Sequence, residues 1–139
     1  NERMSEYLDC LELETGPDPA GAVIWMHGLG ADASDFEPIV PMLELARPLR
    51  FVFPNAPIRP VTINGGARMR AWYDIDPRAP LAGAADIRTS AAQVGELIRR
   101  EEARGIAARR ITLAGFSQGD VIALHLGLRH PDRLAGILA

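Results

Sequence analysis

Ser117 stands in Gly115-Phe116-Ser117-Gln118-Gly119, the G-x-S-x-G spacing in which a serine can serve as a nucleophile. Glycine on both flanks permits a bend so sharp that the hydroxyl stands clear of the backbone. The amide of the next residue, Gln118, falls at a helix start, where unpaired N–H groups and the helix dipole favour an anion. The serine therefore arrives with one donor for a developing oxyanion. A second donor can come from His27-Gly28-Leu29-Gly30, whose glycines let the amide of Leu29 turn toward the serine, although they also suit a plain strand-to-helix turn. His27 is given no base chemistry, because a histidine beside such glycines serves to orient the loop by hydrogen bonds. Five residues with three fixed positions occur by chance in many chains. The motif's weight rests on its context, a strand before it and a helix after it.

Both are present. Ile111 to Ala114 is an apolar run, and Val121 to Leu128 has helix-compatible composition, ended by His130-Pro131. Ala22 to Met26 is a continuous apolar run that predicts a strand buried on both faces of a parallel sheet, with helices on both sides. It leads into the His27 to Gly30 loop, at the carboxyl end of a strand, where open α/β sheets place their sites. Tyr7 to Glu14 alternates as a marginal strand would, with Leu8, Cys10 and Leu11 or Leu13 inward, and Arg50 to Phe53 is another β run. Ser34 and Glu37 have the spacing of a capping box for a helix interrupted by Pro38 and Pro41 and ending near Leu45.

Ala84 to Arg104 is the clearest helix, with Ile87, Ala91, Val94 and Ile98 on one face, Asp86 as cap and Gly105 as stop. Its charge run, Arg99 to Glu102, reads as a solvated face. Residues 55–80 show no strong period, and a loop of that length is functional or disordered. Met69, Trp72 and Tyr73 argue against disorder. Two readings stay open: a flap whose Met69 and Trp72 line an apolar acyl pocket, or a long loop that these residues anchor to the core. The alternation of strands and helices predicts a doubly wound α/β domain with a mainly parallel sheet.

Composition narrows the function. A chain of 139 residues fits one domain, and 47% apolar and 24% charged residues are ordinary globular values. A formal net charge of −3 offers no electrostatic reason to bind nucleic acid or a membrane surface. All 15 basic residues are arginines, scattered along the chain, which reads as compositional bias. The single cysteine, Cys10, excludes an internal disulfide and is expected as a small core residue in a reducing compartment. No apolar run is long enough to span a membrane, and Asn1 to Glu6 lack a signal peptide's apolar stretch, so a soluble cytoplasmic protein is expected. No G-x-G-x-x-G follows a strand, which argues against a dinucleotide site, and neither cofactor nor metal is expected.

Five motifs follow in order: His27-Gly28-Leu29-Gly30-Ala31-Asp32, Phe53-Pro54-Asn55-Ala56-Pro57, Val61-Thr62-Ile63-Asn64-Gly65-Gly66, Trp72-Tyr73-Asp74 and the Gly115 to Gly119 elbow. Together they span nearly the whole chain, which resembles the bacterial carboxylesterase and acyl-protein thioesterase family of α/β-hydrolases. The resemblance implies an α/β-hydrolase fold and a serine hydrolase for carboxylic esters or thioesters of short to medium acyl chains, without cofactor and often a homodimer. By the same resemblance Ser117 is the nucleophile, the amides of Leu29 and Gln118 form the oxyanion hole, and Trp72 lies near the acyl pocket.

Two departures matter. Asp120 stands where the family usually carries glycine; in the first turn of a helix an acid suits the dipole, but turned inward it would crowd the elbow and oppose an oxyanion. In α/β-hydrolases the catalytic acid and base follow the serine on later strand ends. Asp120, His125, His130 and Asp132 all lie on the elbow helix or just past it, so none is assigned to the triad. The apolar Ala135 to Ala139 reads as a buried strand cut off partway, leaving an open sheet edge. Residues 1–139 are thus expected to form the amino-terminal part of a single α/β-hydrolase domain, with the catalytic Asp and His beyond residue 139. The alternative is a non-catalytic fragment or remnant that keeps serine and oxyanion hole without a base.

Overall fold

In β2 (Gly21–Met26) successive residues serve different layers. Ala22, Ile24 and Met26 join one buried cluster, and Val23 and Trp25 pack on the other, as a central strand covered on both faces must. The computed structural model describes residues 7–139; the expectation about the amino terminus falls on residues 1–6, outside the described residues. With β1 (Cys10–Glu14), β3 (Leu49–Pro54), β6 (Ile111–Gly115) and β7 (Gly136–Leu138), β2 forms a five-stranded sheet in the order β1-β3-β2-β6-β7. Only β1 runs antiparallel to its neighbour, so the sheet is mainly parallel, as expected.

The layers are less symmetric than the sequence suggests. α1 (Ala84–Ala103) and α2 (Gln118–Arg129) cover the same face, where Val94, Leu97, Ile98, Ile122 and Ala123 share a cluster with Ile24, Met26 and Leu113. Among the described residues the opposite face is covered by a 3-10 segment, Glu37–Met42, where the sequence suggests a helix running to near Leu45. Pro38 and Pro41 deny it α-helical hydrogen bonding. The capping box does not form either: the Ser34 amide and hydroxyl both donate to Asp32 Oδ1, at 2.8 and 2.6 Å. Packing still succeeds, with Val40 in a cluster with Phe51 and Phe53 and the Phe36 ring stacked 4.9 Å from that of Trp25.

α1 stops where expected, with Gly105 at φ 105° just past its end, but Asp86 is not its cap. Asp86 instead accepts from the Asp74 amide at 3.0 Å and pairs with Arg59 at 2.9 Å. The charge run at the helix end is also not all solvated. Glu101 is fully buried and accepts from Arg50 Nε at 2.7 Å, while Arg50 also meets Glu12 and Glu14, and Arg100 reaches Glu12 at 3.0 Å. β1 is the marginal strand expected, Leu8 and Cys10 serving one layer and Leu11 and Leu13 the other. Burial pushes the Cys10 thiol up to about 11. β7 forms, but as a half-exposed edge strand and not a buried one.

Residues 55–80 contain a hairpin that the sequence did not announce. β4 (Ile58–Val61) pairs antiparallel with β5 (Ala67–Arg70), joined by a 3-10 turn at Thr62–Asn64 and two glycines, Gly65 and Gly66, at φ 67° and 81°. Strands of four residues, one holding Pro60 and the other two arginines, are too short and too polar to show a period.

Candidate active site

The elbow is built by close backbone contact. A Cβ on Gly115 would run into the backbone of Gly119, and one on Gly119 would strike the carbonyl oxygens of Met26 and His27. The first turn of α2 is thus driven against the end of β2, and glycine is required at both positions. Between them Ser117 is held at φ 59°, ψ −117°, outside the regions a residue with a Cβ favours. Such strain costs about 1–3 kcal/mol and is found where it serves a mechanism. Ser117 is exposed, and its side chain makes no capping bond to α2.

The loop after β2 closes on the elbow. The Phe116 amide donates to the Met26 carbonyl at 3.2 Å, and a Cβ on Gly28 would lie 3.3 Å from that of Ser117. Gly30 donates to Arg70 O at 2.9 Å and Ala31 to Gly28 O at 3.2 Å, whereas the Leu29 amide has no acceptor among the described residues. Leu29 and Gln118 therefore present amides from the two loops that meet at Ser117. His27 is buried with both ring nitrogens engaged: Nδ1–H donates to Gly28 O at 2.7 Å, and Nε2 accepts from the Ala56 amide at 3.0 Å. Burial lowers its pKa below the ordinary 6.5, so the ring is neutral and has no free lone pair for a proton from serine. Its work is to shape the loop.

The structure separates the two residues expected to line a pocket. Met69, half-buried on β5, lies against the loop after β2, its Sδ 3.7 Å from where a Gly30 Cβ would stand. Trp72 has no exposed surface to offer a ligand, so for this residue the anchoring reading describes the structure. Its amide donates to Gln118 Oε1 at 2.7 Å, its indole N–H to His27 O at 2.8 Å, and its carbonyl accepts from Ser90 Oγ at 2.5 Å. The Gln118 side chain, buried like Trp72, also donates to Tyr73 O at 2.7 Å. That second use of Gln118 is not visible in sequence, because its partners lie more than forty residues earlier.

Around the elbow, Asp120 Oδ1 is shielded from solvent with no partner among the described residues, and burial together with the Asp120 charge raises the Tyr73 pKa. The other late titratable groups sit elsewhere. Glu102, His130 and Asp132 bring ligand-type atoms within 4.8 Å of one another. They lie at the far end of α2, whose 12 residues span about 18 Å. A cleft of about 710 Å³ lined by Arg47, Arg50, Arg104 and Arg110 opens at the amino ends of β2, β3 and β6, the opposite end of the sheet from Ser117.

The stretch that carries this strained serine between β6 and α2 and the glycine loop after β2 lies within residues 9–139, which match the phospholipase/carboxylesterase family model. The chain belongs to the phospholipase/carboxylesterase family. It is 42% identical over 137 residues to acyl-protein thioesterase 1 of Schizosaccharomyces pombe, covering 97% of this chain and 61% of that protein. With acyl-protein thioesterase 1 of Saccharomyces cerevisiae identity is 35%, over 84% of this chain and 55% of the relative. Among solved structures, esterase PE8 superposes with a TM-score of 0.78 at 28% identity, over 94% of this chain and 62% of that one. This member of the phospholipase/carboxylesterase family has the α/β-hydrolase fold that its motifs imply. The chain spans about three-fifths of the length of these relatives.

Proposed function

We propose that the protein is a serine hydrolase of carboxylic esters or thioesters carrying short to medium acyl chains. The observation that carries this reading is Ser117 itself, exposed at a strained φ of 59° with the Gly28 loop packed against it. Its hydroxyl attacks the acyl carbonyl, the oxyanion that forms accepts from the Leu29 and Gln118 amides, and the alcohol or thiol leaves to give an acyl-enzyme that water cleaves. The triad's acid and base come from beyond residue 139, since His27 is fully engaged and His125 and His130 lie along and past α2. Met69, beside the oxyanion loop, meets the acyl chain. No cofactor enters this chemistry. Names of relatives such as acyl-protein thioesterase 1 support a thioester as readily as an ester. A cytoplasmic location and a homodimer belong to the same proposal.

The test is turnover of an acyl-ester series of increasing chain length by the protein and by Ser117→Ala. We expect measurable hydrolysis that falls by at least about 1000-fold in the variant, with only the residual rate that an oxyanion hole and binding provide. Equal turnover by the two proteins would refute the assignment of Ser117.

A further inference from the structure

We propose that Trp72 is a positioning residue whose hydrogen bonds fix the spacing between the two oxyanion amides. The inference rests on the reading of Ser117 as nucleophile. Leu29 and Gln118 belong to loops that leave different strands, β2 and β6, and the ladder between those strands ends at Met26 and Gly115. Beyond it, something else must hold one amide relative to the other. The contact of Gly28 with Ser117 limits how closely the loops approach. It does not set their register.

Trp72 reaches both. Its backbone N–H is bonded to the Gln118 side chain, on the residue that supplies one oxyanion amide. Its indole N–H is bonded to the His27 carbonyl, two residues before Leu29, which supplies the other. The connection is continued on each side: Gln118 Nε2 holds Tyr73 O, and the His27 ring, 5.4 Å from the Trp72 ring, fixes Gly28 O and the Ala56 amide. From behind, Ser90 Oγ on α1 donates to the Trp72 carbonyl. The residue is fully buried, so these bonds do not compete with water and their geometry is shared with a packed core. An indole N–H is a donor only, matched to the His27 carbonyl, which can only accept.

The experiment replaces Trp72 with β-(3-benzothienyl)alanine, which keeps the bicyclic shape and lacks the N–H, alongside Trp72→Phe, in the full-length protein. A small displacement of one amide weakens transition-state bonds that the ground state does not use, so kcat should fall roughly 10- to 100-fold while KM stays within about threefold. Val40→Ala, a core truncation in the cluster on the opposite face of the sheet from Trp72, gives the purely structural comparison: lower thermal stability with kcat unchanged at temperatures where it is folded. A benzothienyl variant with wild-type kcat overturns the positioning role. So does a variant whose KM rises while kcat holds, the signature of a residue that binds substrate. Absence of turnover in the wild-type protein overturns both this inference and the reading it rests on, which separates the two failures.

Discussion

At the scale of single residues, the site depends on groups held where they would not otherwise rest. Ser117 keeps an unfavourable backbone conformation because Gly115 and Gly119 let α2 press against β2. His27 keeps a neutral ring because burial outweighs its other surroundings. A histidine whose folded pKa lies below its unfolded value stabilises the fold above the unfolded pKa, and that contribution is lost as pH falls. Stability to urea should therefore decline as pH drops below about 6.5, because the unfolded chain takes up a proton that the folded ring excludes. His125 is lowered in the same direction, so the His27 share must be isolated. His27→Gln should flatten the decline, measured as the urea midpoint at steps between pH 8 and pH 5; an unchanged slope in the variant would mean that His27 is not held neutral by the fold. The sharp turn at Ser117 and the glycine loop packed against it were legible because their geometry is local, a few residues with glycines at fixed spacing. The roles of the Gln118 side chain and of Trp72 were not, because each is defined by a partner distant in the chain.

At the scale of elements, the strands and helices that carry the apolar signal came through within a residue or two, apart from β1, which begins at Cys10 and not at Tyr7, and α2, which begins at Gln118 and not at Val121. The misreadings have a common cause. Ser34 found Asp32, Asp86 found Arg59 and the Asp74 amide, and Glu101 found Arg50, each bonding to a group that a local pattern does not take into account. The Glu101 case makes a test. Arg50→Met leaves a carboxylate buried without its closest partner and should cost about 3–5 kcal/mol, while Arg50→Met with Glu101→Leu should recover much of the loss. Equilibrium urea unfolding of both variants checks this, and a single variant within about 1 kcal/mol of wild type would show that the pair is not a buried tie. Because Arg50 sits at the amino end of β3, away from the elbow, kcat per folded molecule should not change.

At the scale of the molecule, the sheet brings together two loops about ninety residues apart, since β2 and β6 are adjacent, parallel and in register to their carboxyl ends. The hairpin and the segment after it then close one side of the candidate site, tied to the loop after β2 through Gly30 and Arg70 and to the elbow through Trp72 and Gln118. On the proposed function, the group that the fold is organised to present is the Ser117 hydroxyl. A fluorophosphonate probe followed by tryptic mass mapping tests that claim most directly, because the peptide from Ile111 to Arg129 contains Ser117 as its only serine. The account predicts one adduct per chain, on that peptide, with loss of ester turnover in proportion to labelling and no adduct in Ser117→Ala. A protein that hydrolyses esters while its adduct forms on another peptide, or while Ser117 stays unlabelled, would contradict it.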